Sequence, residues 1–162
     1  MRRLCFLAGA LLALTMTAVP AVAEQPQWRS FDSLVEVDRA TAESALADNF
    51  GGDPSLWPDW LDPAAVRLPM NFTPGTLLVV RQPLHAACGE FGFTVFGPRA
   101  SDGSRRQWGG LFCAGRLEVV PAPWQRAPDL RFLDGRRRDP ATGAWVVHDA
   151  TWHWTGSDWV EQ

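Results

Sequence analysis

Cys88 and Cys113 stand inside a block of short strand-forming runs, residues 76–121, and this block constrains the fold more than any other feature of the chain. The runs Thr76-Leu-Leu-Val-Val-Arg81, Phe91-Gly-Phe-Thr-Val-Phe96, Gln107-Trp-Gly-Gly-Leu-Phe112 and Arg116-Leu-Glu-Val-Val120 are rich in β-branched and aromatic residues. Gly, Pro and Ser separate them, as strand boundaries require. Phe91, Phe93 and Val95 alternate with Gly92, Thr94 and Phe96, the period of a strand with one buried face. Residues 98–105 read as a turn with Asp102-Gly103 at its pivot. Antiparallel pairing of 91–97 with 106–112 then brings the two cysteines to one end of a hairpin, which a bridge requires.

Whether they bond depends on the compartment. Arg2 and Arg3, an apolar run over residues 4–19 and Ala21-Val22-Ala23 form the three regions of a secretory signal peptide, expected over residues 1–23. It is too short and wrongly flanked to be a membrane span, and no cysteine follows the cleavage site to carry a lipid anchor. Cys5 departs with it. No later stretch reaches the roughly 20 apolar residues of a span, so no stable membrane insertion is expected after cleavage. The expected destination is the periplasm or the exterior, where paired cysteines oxidise. Closing the 26-residue loop from Cys88 to Cys113 is worth about 3.5 kcal/mol of unfolded-state entropy. Neither cysteine has companions at metal-ligand spacing.

Removing 23 residues from 162 leaves 139, the length of a single domain over residues 24–162. Its 13 arginines, 15 less Arg2 and Arg3, face 18 acidic residues for a net charge of −5. That balance argues against nucleic acid, which is gripped by a basic footprint. The chain has no Lys, Ile or Tyr, a pattern of GC-rich coding and not of selected chemistry.

Residues 38–49 form the best helix: Asp38 is placed to cap it, Ala42 and Leu46 to face inward with Phe50, and Gly51 to end it in a left-handed conformation. Asp53-Pro54 and Asp62-Pro63 are starts for single helical turns. Trp57, Trp60 and Leu61 between them are expected to cover one end of the sheet core. Prolines break the pattern over residues 121–128. Residues 130–137 then pair with 144–149 across Asp139-Pro-Ala-Thr-Gly143, and a last hairpin joins Thr151-Trp-His-Trp154 to Trp159-Val160. The final Trp152-x-Trp154-x-Gly156-x-x-Trp159 resembles the aromatic-x-Trp-x-Gly-x-x-aromatic tail of many exported bacterial proteins. That resemblance implies a terminal β-hairpin and an exported location, and no activity.

The chemistry-bearing residues form no catalytic or cofactor signature. His85, His148 and His153 are scattered, with no metal-binding spacing, and the five-residue step from 148 to 153 spans opposite strand faces. No Gly-x-Ser-x-Gly elbow is present. A carboxylate pair such as Glu90 and Asp149 would need a separation that sequence does not give. No cofactor and no metal are expected. The nine tryptophans mostly belong to the core, but Trp faces also stack on sugars and anchor interfaces. Trp152 and Trp154, then Trp108, are the candidates for an exposed binding strip. Arg136, Arg137 and Arg138 sit at a hairpin tip suited to carboxylate or phosphate groups, with Arg105 and Arg106 at another.

The expected fold is α+β: one N-terminal helix and short helical turns on a mostly antiparallel, curved sheet of about six to eight strands. The expected function is a non-catalytic binding or interaction protein whose partner is an envelope protein, such as a wall hydrolase it would inhibit. A glycan-binding module using Trp faces is the alternative, and a small hydrolase with a site formed only by tertiary convergence is the third. Exposed coplanar Trp would favour glycan, a protruding Arg tip beside an apolar patch a protein partner, and a cleft holding His and a carboxylate an enzyme.

Overall fold

The computed structural model describes residues 22–72 and 74–162, so the leader expected over residues 1–23 lies outside the described residues but for Val22 and Ala23. Among the described residues, no helix is long and apolar enough to cross a membrane. The fold is α+β: one helix and short helical turns packed on two antiparallel sheets.

The first sheet runs β1-β2-β3-β4-β5, from Arg29–Ser30, Ala64–Pro69, Thr76–Pro83, Phe91–Arg99 and Arg105–Ala114. The second runs β6-β7-β8-β9, from Arg116–Val120, Asp129–Arg138, Trp145–Trp154 and Trp159–Glu161. Helix α1, Glu36–Phe50, lies on the first sheet, and a one-turn helix α2, His85–Cys88, joins β3 to β4. All pairings are antiparallel.

β3 shows why there are two sheets. Leu77, Leu78, Val79 and Val80 are all buried, although successive side chains of a strand point to opposite faces. Leu77 and Val79 join Phe93, Val95, Phe112, Leu117, Leu130, Phe132, Trp154 and Trp159 in the core between the sheets. Leu78 and Val80 join Leu34, Ala42, Ala45, Ala65 and Phe96 under α1. A single helix-backed sheet of six to eight strands would leave the Leu77–Val79 face wet. The second sheet covers it, and nine strands are present among the described residues. The chain changes sheet at Gly115, the only residue between β5 and β6, whose N–H donates to the Leu133 carbonyl at 2.8 Å.

Cys88 and Cys113 lie within disulfide distance, Sγ to Sγ 2.07 Å and Cα to Cα 4.7 Å. The β4–β5 hairpin that brings them together pairs Gly92 with Cys113 and turns over Asp102, whose carboxylate accepts from the Ser104 N–H at 2.9 Å. Gly51 ends α1 at φ 84°, and Asp53 caps the turn Pro54–Leu56. The helix start differs from the sequence reading. It begins at Glu36 after Val35, with no side-chain cap, and Asp38 turns its carboxylate onto the sheet. Asp62-Pro63 starts no turn; it leads directly into β2. Trp57 packs on Phe31, which lies against the core under α1, and Trp60 on Phe50 at the end of that helix.

Candidate functional site

The second sheet extends beyond the body of the molecule as the distal half of the β7–β8 hairpin. Arg136, Arg137 and Arg138 pair there with Val147, Val146 and Trp145. Trp145, Val146 and Val147 are 53%, 38% and 72% exposed. Successive strand residues face opposite ways, so exposure of all three means that both faces of this arm are open to solvent. The sequence supplies the reason: Gly-Arg-Arg-Arg has nothing to bury, and turn residues from Asp139 to Gly143 close the hairpin. Asp139 organises that turn, its carboxylate accepting from the Ala141 N–H at 2.8 Å and the Thr142 hydroxyl at 3.0 Å. These bonds hold its pKa below the ordinary carboxylate value. The Arg138 guanidinium carbon stands 5.1 Å from the centre of the Trp145 ring, a cation–π contact.

The arm is rooted on the cysteine pair. Gly135 lies so close to the backbone that a Cβ there would stand 2.5 Å from the Cys113 carbonyl oxygen. A Cβ on Gly89, the residue after Cys88, would stand 2.6 Å from Arg136 Cδ. A bulge in β7 between Phe132 and Gly135 throws the arm outward, with Asp134 at φ 57° and its N–H donating to the Asp149 carboxylate at 2.8 Å.

At the base of the arm a cleft of about 470 Å³ opens between β5, β7, β8 and β9. Phe112, Phe132, Trp152 and Trp159 line it together with Arg136, Arg137, His148 and Glu161. His148 Nε2 is 2.7 Å from Glu161 Oε1, and Arg137 Nη1 is 3.9 Å from the same oxygen. Aromatic rings and guanidinium groups lining one cleft suit an apolar group that carries a carboxylate or another anion.

This cleft unites three of the residues singled out in the sequence, Trp152, Arg136 and Arg137, with Arg138 on the arm above. It does not include the others as exposed surface. Trp154 is buried and stacks on Trp108, ring centres 4.1 Å apart and planes 5° from parallel. Trp108 also packs on the backbone of Gly97, where a Cβ would come 2.3 Å from the indole. The expected Trp152–Trp154 strip therefore faces into the molecule, because β9 and β5 cover that side of β8. The most exposed tryptophans are instead Trp60, Trp124 and Trp145, at 60%, 90% and 53%. Trp124 and Trp145 had a local signal, since each stands in or beside a Pro- or Gly-bearing break. His148 and Glu161, 13 residues apart, had none.

A second polar cluster lies under α1. The buried Asp38 carboxylate accepts from Arg67 Nε and from Arg99 Nη2 at 3.0 Å, and Arg105 Nε stands 3.6 Å away. Burial opposes ionisation of Asp38, but the Arg67 bond and the charges of Arg67, Arg105 and Arg99 outweigh it and hold the carboxyl below its ordinary value. Arg105 is itself buried, which lowers its pKa, and it donates to the Thr76 and Gly97 carbonyls. Arg105, expected at an exposed tip, is thus a structural clamp. A larger cavity of about 700 Å³ lies between the segment before β1, β2 and residues 119–128, and its charged lining, Glu24, Arg29, Asp38 and Arg67, is balanced. Among the described residues no group of three or more His, Cys, Asp or Glu side chains is placed to hold a metal ion.

No protein-family model, curated protein or solved structure matches this chain.

Proposed function

We propose that this is an exported, non-catalytic binding protein whose partner is another protein of the envelope, held by the β7–β8 arm and the cleft at its base. A wall-degrading hydrolase whose active site the arm would obstruct is one such partner. The observation that carries the reading is the arm itself: Arg136, Arg137 and Arg138 stand opposite exposed Trp145, Val146 and Val147, on a hairpin open on both faces. Exposed aromatic and aliphatic anchors with arginine beside them are what protein interfaces use, and a chain gains no folding free energy by leaving them in water. The glycan alternative has less support, because Trp108 and Trp154 cover each other's ring faces. The His148–Glu161 pair favours a hydrolase, yet His148 has no hydroxyl or thiol hydrogen-bonded to it among the described residues.

The test is capture from an envelope extract by the oxidised protein over residues 24–162, read by mass spectrometry, beside the triple variant R136A/R137A/R138A. A strongly enriched protein that the triple variant loses is the expected result. Equal capture by the variant, or retention of wall fragments in place of protein, would overturn the reading.

A further inference from the structure

We propose that the open edge of β8, residues 145–150, takes up an extended acidic segment of the partner by β-strand addition. The proposal rests on the protein-partner reading above and adds how the partner is held. β8 is ten residues long, and β7 pairs with it from Trp145 to Trp152. On its other side, among the described residues, β9 pairs with Trp152, His153 and Trp154, and the Gln162 N–H donates to the Thr151 carbonyl at 2.9 Å. That last bond fixes which backbone groups look outward. In an antiparallel strand the N–H and C=O of one residue point the same way, and successive residues alternate. Thr151 points toward β9, so by parity Asp149, Val147 and Trp145 turn their N–H and C=O groups to the open side. The register irregularity lies in β7, at positive-φ Asp134, and leaves this alternation in β8 intact. Three donors and three acceptors in a row form a template for another strand.

Charge selects the occupant. β9 already lies in the column next to β8, and its Glu161 carboxylate reaches back over β8 to His148 and Arg137, at 2.7 and 3.9 Å. Arg138, one residue on, lies over the Trp145 ring on the opposite face of the arm. A strand that continues the β9 column past residue 150 meets Arg137 and His148 on the cleft face, and a carboxylate at the facing position pairs with Arg137 as Glu161 does. The residues between, facing Trp145 and Val147, are best apolar. A lysine-bearing strand would instead be repelled.

The test uses blocked hexapeptides of alternating Val and Glu, or Val and Lys, titrated into the isotopically labelled oxidised protein over residues 24–162. Amide shifts and slowed hydrogen exchange at Trp145, Val147 and Asp149 are expected with the Glu peptide only. Val147→Pro removes one outward N–H without touching the β7 ladder, where Pro at an edge is tolerated, and should weaken binding about tenfold. Val147→Glu, at a residue 72% exposed, keeps the fold and should repel the peptide to a similar extent. No shift, or equal shifts with the Lys peptide, would overturn the proposal. Concentration-dependent shifts without peptide would overturn it in favour of a second copy as occupant. If Val147→Pro still captures the envelope protein while the arginine triple variant does not, strand addition fails and the arm reading stands.

Discussion

Removing the Asp38 carboxylate would leave Arg67, Arg99 and Arg105 facing one another across the seam between α1 and the first sheet. Breaking a buried charge cluster by deleting one partner leaves uncompensated charge. Arg67 and Arg99 are 46% and 35% exposed, so water relieves part of the repulsion. Asp38→Asn is therefore expected to destabilise by about 3 kcal/mol, read from urea unfolding near neutral pH. The sign of its pH dependence follows from the depressed pKa. A group whose folded value lies below its unfolded one contributes fully above the unfolded value and loses the contribution as pH falls through the folded value. Wild type and Asp38→Asn should then converge in stability on the acid side of 3.8; a gap that persists there would contradict this assignment. Sequence reading placed Asp38 at the helix start, because Asp before an alanine-rich run is a capping pattern. What it could not see is that arginines 29, 61 and 67 residues away converge on the same carboxylate and outcompete a backbone N–H.

Among the elements, the β4–β5 hairpin and the β7–β8 arm answer to different forces. The hairpin is closed by the cysteine pair, and Cys88→Ala/Cys113→Ala should lower stability by about 3 kcal/mol with the fold retained, measured by thermal and urea unfolding. Two freely alkylated thiols in the protein purified without reductant would remove the bridge from the account. The distal arm has its three arginines exposed, so R136A/R137A/R138A should change unfolding free energy by no more than about 1 kcal/mol. A larger loss would mean that the arm packs on the body beyond the contact of Arg136 with Gly89. The strands were legible because alternation and Gly- or Pro-bearing turns are local signals, and the turns at Asp102-Gly103 and Thr155 to Asp158 fell where those residues put them. The sequence pattern divides β8 into one strand over residues 144–149 and another over 151–154. In the structure it is continuous, since Asp149 spends its carboxylate on the Asp134 bulge.

For the whole molecule, burial falls from the middle of the first sheet to the arm. β3 and β4 are covered by α1 on one side and the second sheet on the other, whereas residues 136–138 and 145–147 are wet on both faces. Hydrogen exchange should follow that order, with Leu78 to Val80 and Phe93 to Val95 slowest and the arm amides fastest. Arm amides as slow as those of β3 would rule out this ordering. The α+β class was readable from one helical pattern followed by strand patterns; the unbroken run Leu77 to Val80 signals a strand buried on both faces, but not that a second sheet covers one of them. The cleft depends on the same division: Trp152, Arg137, His148 and Glu161 meet only because β9 folds back beside β8. The rooting of the arm has a mechanical consequence. Gly135 and Arg136, its first two residues, bear on the chain beside Cys113 and Cys88, so a push delivered through the arm meets the stapled hairpin at its base. A pull is different: steric contacts carry no tension, so it loads the β7 and β8 backbones and the ladder between them.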